Sequence, residues 1–168
     1  MKPVFDFYQK FARVLVTAGG VVGAFFILLV TLSNFYEVVA RYVFKSPTTW
    51  SLDYCIYLVM WGTFIGAAYT LREGGHIHVD VVIGKFSENR RRQLKLFIYF
   101  LVLIFCCFLT WRGLISCIES YRFKEVTLSY TRTPLYIPLF SIVVGGGLLV
   151  VEIIRQLIEM LPSAWSEK

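Results

Sequence analysis

The chain has 168 residues, of which 57% are hydrophobic and only 17% charged, with a formal net charge of +6. Soluble chains typically carry about 45–50% apolar and about 25% charged residues. A soluble domain of this length could not hide so much apolar surface without large exposed patches, so an ordinary cytosolic enzyme and a disordered chain are both excluded.

In chain order, the first segment holds Val4, Phe5, Tyr8, Phe11 and Ala12 at helical spacing, with Lys2, Asp6, Gln9 and Arg13 elsewhere on the wheel. That pattern predicts a short N-terminal amphipathic helix lying in the membrane interface, with a frayed terminus as the alternative. The run Val14–Tyr36 is free of charge. It is too long for the apolar core of a signal peptide and closes without a small-residue cleavage site, so it reads as a retained span. Tyr54–Leu71, Leu96–Trp111 and Pro134–Val151 are the other charge-free runs, and Lys95 and Arg112 can snorkel to extend the third. A bilayer core of about 30 Å needs about 20 apolar residues per helix. The fold class expected is therefore all-α integral membrane, a single membrane domain with four transmembrane helices at roughly 14–39, 50–72, 88–118 and 134–161. Thr133 followed by Pro134 reads as an N-cap and first helical residue, Ser87 as another N-cap, and Gly74–Gly75 and Pro162 as helix ends.

Orientation follows the basic residues. Lys2, Lys10 and Arg13, the middle loop with Arg72, Lys85, Arg90, Arg91, Arg92 and Lys95, and the C-terminal Arg155 and Lys168 outweigh Arg41, Lys45, Arg112, Arg122, Lys124 and Arg132 on the other side. Both termini and the middle loop are expected in the cytoplasm. The positive charge then reflects topology and anionic lipid rather than nucleic acid.

Chemistry is sparse. His76, His78 and Asp80 alternate in the middle loop, too few ligands to predict a metal site, and no histidine lies in a span to hold a haem. Cys55, Cys106, Cys107 and Cys117 read as small apolar helix residues, with a Cys55–Cys117 bridge near the outer face as an alternative. No nucleophile–base pair, phosphate loop or carboxylate pair points to an enzyme, and no cofactor is implied. The charge-free runs place no ionisable group near the bilayer midplane; Glu37, Arg41, Asp53, Arg112, Glu119, Glu152 and Arg155 are all read as helix-end residues. Transporters that work alone usually carry such groups at mid-depth. A stand-alone small multidrug-type transporter would have only Glu37 for its membrane carboxylate, and a redox anchor would lack axial ligands.

Packing signals are richer. Gly19 and Gly23, Gly62 and Gly66, and Gly145–Gly147 give three helices small faces for close approach. Glu37–Arg41 and Glu152–Arg155 are spaced as ion pairs at headgroup level, worth a few tenths of a kcal/mol. Asp53 opens the second helix, where an acid complements the dipole, and has Arg41 or a partner as its candidate contact.

The strings Arg41-Tyr42-Val43-Phe44, Trp50-Ser51-Leu52-Asp53, Trp61 to Ala68 and Arg72 to Asp80 together resemble the small membrane subunit of tripartite ATP-independent periplasmic (TRAP) transporters, the DctQ-like subunit. The resemblance covers roughly Asn34 to Asp80; Asp53 stands where the family pattern has glutamate. It implies a scaffold subunit in a bacterial or archaeal inner membrane. Its partners would be a large, DctM-like elevator subunit and a periplasmic binding protein, for Na⁺-driven uptake of an organic acid. Arg41, Tyr42, Trp50, Asp53, Gly62, Gly66, His76 and Asp80 become candidates for packing or the subunit interface. The outer loops Glu37–Thr49 and Glu119–Thr133 become docking sites for the binding protein, with Arg122 and Lys124 as candidates.

Overall fold

In the computed structural model, residues 2–74, 88–129 and 131–160 are described. They form α1 (Lys2–Tyr42), α2 (Ser51–Arg72), α3 (Glu88–Arg122) and α4 (Tyr136–Met160). Each is long and apolar enough to cross a membrane, over Phe7–Tyr42, Ser51–Arg72, Gln93–Arg122 and Tyr136–Glu159. The helices pack in the order α1, α2, α4, α3, with α4 touching all of the others and α3 packed mainly on α4, its Cys106 also joining a core cluster with Leu71 of α2.

The burial pattern is that of a protein dissolved in lipid. Large apolar side chains lie outside, Phe100 at 57% and Phe108 at 56% exposure, while Glu152 and Ser141 are fully buried. The buried face of α1 follows one helical stripe through Ala12, Val16, Gly19 and Gly23. That of α3 runs through Cys106, Gly113 and Ser120, a seven-residue repeat that suits a shallow left-handed crossing on α4.

Glycines set the helix spacing. A Cβ on Gly23 would lie 2.9 Å from the carbonyl oxygen of Gly62, and one on Gly113 would lie 2.9 Å from Ile142. A Cβ on Gly145 would collide with the Phe64 backbone carbonyl, and one on Gly146 with the Thr110 hydroxyl. Gly66 behaves differently: a Cβ there meets nothing within 4 Å. Both glycines of the α2 pair lie against Gly23 of α1, and they differ in that the Cβ direction of Gly62 is filled by Ile27 and Gly23 while that of Gly66 is open.

Several expected boundaries shift. The N-terminal amphipathic segment is helical but runs without a break into the first span, in one helix that starts at Lys2 rather than near residue 14. Lys10 and Arg13 did not end it, because a charge at a helix surface breaks no backbone bond. α3 continues past residue 118 to Arg122. α4 starts at Tyr136, because Pro134 is taken up in an isolated bridge with Val126 and the Thr133 hydroxyl donates to Thr131 instead of capping. α2 ends as expected, with Gly74 in the left-handed region at φ +80°. Ser87, Gly75 and Pro162 lie outside the described residues. Cys55, Cys106, Cys107 and Cys117 are all free, so the Cys55–Cys117 bridge is absent; the Cys117 thiol donates to the Tyr136 carbonyl instead.

The largest displacement concerns Arg112. It was placed at a helix end, but its neighbours Thr110 and Gly113 pack on Gly146 and Ile142, and Gly145 is level with Phe64 in the middle of α2. Arg112 therefore lies within α3, level with the contacts of Gly113 and Thr110 on α4, rather than at the helix end expected for it.

Replacing Gly145 with alanine should force α4 off α2 and lower stability by about 1–3 kcal/mol, the usual cost of overpacking. Gly66→Ala should change it by less than about 0.5 kcal/mol, as at an unconstrained surface position. Thermal unfolding of the two variants in one detergent compares them directly.

Candidate functional site

Three polar clusters and one groove carry the features that could act on a partner. The first cluster closes the cytoplasmic end. Arg155 donates through Nε to Glu152 at 2.9 Å and through Nη2 at 2.6 Å, and through Nη1 to Glu159 and to Gln9 of α1 at 3.3 Å. Gln156 donates to Glu152 at 2.8 Å and reaches the Leu71 carbonyl of α2 at 3.5 Å. The Tyr8 hydroxyl donates to the Val151 carbonyl at 3.1 Å. The expectation of a solvated Glu152–Arg155 pair is thus corrected: the pair is buried and ties α1, α2 and α4 together. Burial holds because every Glu152 oxygen has a donor and the guanidinium has three acceptor residues. The segment carrying Tyr8 and Gln9 covers the cluster, so the predicted N-terminal amphipathic segment also packs on the bundle.

The second cluster organises the outer end of α1. Glu37 accepts from Arg41 at 2.8 and 3.2 Å, as the spacing predicted. Its other oxygen accepts from the Thr48 backbone N–H at 3.1 Å and from the Thr48 hydroxyl. One carboxylate therefore pins the turn that leads into α2. Trp50 stands at that turn between Tyr36 and Tyr54, with ring centroids 6.3 and 6.1 Å away.

The third cluster fastens the α3–α4 loop onto α2. Asp53 accepts from the Thr131 hydroxyl at 2.8 Å, not from Arg41. Thr127, Ser129, Thr131 and Thr133 form a ladder of hydroxyls, joined by the Tyr57 hydroxyl donating to Thr127 at 3.2 Å. Sequence reasoning missed Thr48 and this ladder. The alternation of hydroxyl residues from Thr127 to Thr133 is a visible period of two, and it was the available signal.

The groove lies between α1 and α2. Its outer part, about 550 Å³, is lined by Asn34, Glu37, Arg41, Tyr42, Cys55 and Met60. Its inner part, about 400 Å³, is lined by Gly20, Gly23, Gly62, Gly66 and Thr70. Arg41 and Tyr42 thus line the outer cavity and Gly62 and Gly66 the inner one, which share no lining residue, and Trp50 and Asp53 line neither. His76 and Asp80 lie outside the described residues.

Arg122 and Lys124 line a separate outer depression of about 390 Å³ with Tyr121, Glu125 and Pro134. Among the described residues neither side chain has an ion-pair or hydrogen-bond partner. Lys124 has φ 51°. Its N–H bonds to the Tyr121 carbonyl and that of Glu125 to the Ser120 carbonyl at 3.0 Å, so it occupies the helix-ending position that usually goes to glycine. Lys45 and Arg132 are also left-handed, at φ 51° and 41°. No group of three His, Cys, Asp or Glu side chains is gathered for a metal among the described residues.

Removing one side of the buried pair should be costly. Glu152→Leu leaves Arg155 short of its main acceptor and should destabilise the bundle by about 3–5 kcal/mol. Glu152→Gln, which keeps an acceptor oxygen, should lose less. Unfolding midpoints in detergent give the comparison.

The family described as "Tripartite ATP-independent periplasmic transporters, DctQ component" matches residues 30–163. The C4-dicarboxylate TRAP transporter small permease protein DctQ of Vibrio cholerae serotype O1 is 34% identical over 84 residues, 50% of this chain and 34% of that protein. The putative TRAP transporter small permease protein of Haemophilus influenzae is 28% identical over 133 residues, 79% of this chain and 81% of that protein. The matched segment thus spans about a third of the Vibrio protein and most of the Haemophilus one. The family match takes in the Glu37 turn, the Asp53 ladder and the buried Glu152–Arg155 pair, and with four apolar spans it makes this a multi-pass inner-membrane protein: the chain belongs to the DctQ family of TRAP transporter small permease subunits.

Proposed function

We propose that the chain is a fixed scaffold that binds and stabilises the large, DctM-like membrane subunit of a Na⁺-driven TRAP transporter. The observation that carries this reading is the open groove between α1 and α2. It runs along the membrane-facing side of the bundle, with a glycine floor in its inner part and Arg41 and Tyr42 at its outer end. Close approach of a partner backbone is what a glycine floor permits, and in lipid such contact supplies much of the association energy. Gly66, open on its Cβ side, is the point where a partner helix would come nearest.

The pinned ends of the helices support the same reading. Clusters at Glu37, Asp53 and Glu152 resist relative movement of the helices. That suits a stationary element beside a moving one. The substrate and Na⁺ sites would lie in the large subunit. The cargo would be an organic acid, and the name of the Vibrio relative favours a C4-dicarboxylate. Catalysis has no place in this reading.

The outer loops would receive the substrate-loaded binding protein. Lys45, Lys124 and Arg132 hold left-handed backbones that glycine would adopt at less cost. A long cation kept at such a position supports a role for its charge beyond the turn.

Co-expression with the DctM-like subunit tests the scaffold. The two should co-purify and restore uptake in proteoliposomes only together, and Gly66→Leu should reduce the complex without unfolding this subunit. Equal recovery with Gly66→Leu would remove the groove from the interface, and uptake by this chain alone would overturn the scaffold reading. Reversing Arg122 and Lys124 to glutamate should weaken capture of the binding protein roughly tenfold at low salt, less at high salt. Unchanged affinity would place docking elsewhere.

A further inference from the structure

Arg112 is the charged group that the clusters described above leave unused. Its surroundings fix its depth. On its own helix, Tyr121 packs edge-on against Tyr136 at the outer end of α4, ring centroids 5.4 Å apart. Tyr99 packs at the inner end with Leu157, near Leu71 of α2. At about 1.5 Å per residue, Arg112 lies roughly 13 Å inward of Tyr121 and roughly 20 Å outward of Tyr99. Neither interface is close, and a snorkelling side chain covers only part of the distance.

Its direction is equally defined. Cys106, Gly113 and Ser120 face α4 and are buried, and Arg112 is exposed on the flank away from them. Among the described residues it makes no hydrogen bond and no ion pair. The same flank carries Leu101, Phe105 and Phe108 toward the cytoplasm and Ser116 and Glu119 toward the outside. Arg112, Ser116 and Glu119 follow i, i+4, i+7 spacing, so they form one polar stripe along the outer half of α3. α3 is also the edge helix, packed mainly on α4.

A lone guanidinium facing lipid at this depth is strongly disfavoured, and charges inside membranes almost always pair with another protein group or a backbone carbonyl. We infer that the Arg112 flank of α3 is a second contact with the large membrane subunit, which presents a transmembrane helix carrying a carboxylate at mid-depth. Charge complementarity selects the occupant. The exposed phenylalanines below Arg112 pack on the apolar part of that helix, while Ser116 and Glu119 meet polar groups nearer the outer surface. This inference rests on the scaffold reading, because it takes the partner to be that subunit.

Arg112→Leu is the informative variant. It places an apolar side chain on a lipid-facing surface, so the isolated subunit should fold at least as well as the parent. Co-expressed with the DctM-like subunit and purified through a tag on that subunit, the variant should be recovered at about a tenth of the parent level or less. Arg112→Lys, which keeps the charge, should recover much of the loss. Equal recovery of Arg112→Leu and the parent would overturn the inference and leave the guanidinium to lipid headgroups. Lost self-association of this chain expressed alone, with the two-subunit complex intact, would overturn it in favour of a second copy. Failure of the parent itself to co-purify would instead overturn the scaffold reading, which separates the two outcomes.

Discussion

In a bilayer no hydrophobic effect draws one apolar helix to another, and contact has to come from close fit and from polar groups that find each other. The bundle is built on that constraint. α4 approaches α2 at Gly145 and α3 at Gly146, and α2 approaches α1 at Gly62 and Gly23, in each case to distances that a side chain would obstruct. Where glycines end, hydrogen-bonded charge takes over. Glu152 and Arg155 bind α4 to the first turns of α1 and to the end of α2, with their donors and acceptors matched inside a buried site. The two devices are complementary: one sets the spacing at mid-membrane and the other locks one end.

The outer ends use lighter fastenings. Glu37 captures Thr48 across a short turn, and Asp53 captures Thr131 across the α3–α4 loop. Both acids stand near helix termini and hold the adjoining loops, Glu37 through the Thr48 N–H and Asp53 through the Thr131 hydroxyl. Aspartate at position 53 is long enough for this contact, which lies at 2.8 Å.

The four spans were legible because a membrane helix is mostly a statement about apolar length, and Val14–Tyr36 or Pro134–Val151 can be read directly. Helix ends were less legible where charge was taken as a stop. Lys10 and Arg13 decorate a helix that continues through them, and Arg112 lies within α3 rather than at its end. A charged side chain carries no information about the backbone bond at its own position, whereas Gly74, with its positive φ, does. The Glu37–Arg41 pair was legible because both ends lie on one helix face; Asp53–Thr131 and Arg155–Gln9 were not, because they join residues far apart in sequence. Gly62 and Gly66 show the same limit. Their spacing marks one face that meets Gly23 of α1, but which of them leaves room for a side chain depends on the angle at which the helices meet.

The length of α1 has a mechanical consequence. Its 41 residues extend for about 60 Å, roughly twice the thickness of a bilayer core. A free helix of that length would tilt to suit whatever membrane it entered. Here the inner end is held by Gln9 and Tyr8 and the outer end by Glu37, so α1 is a strut clamped at both ends. The charge-free part, Val14–Tyr36, is only about 35 Å long, so both ends of α1 reach beyond the bilayer core and its angle to the other helices is set by the bundle rather than by lipid.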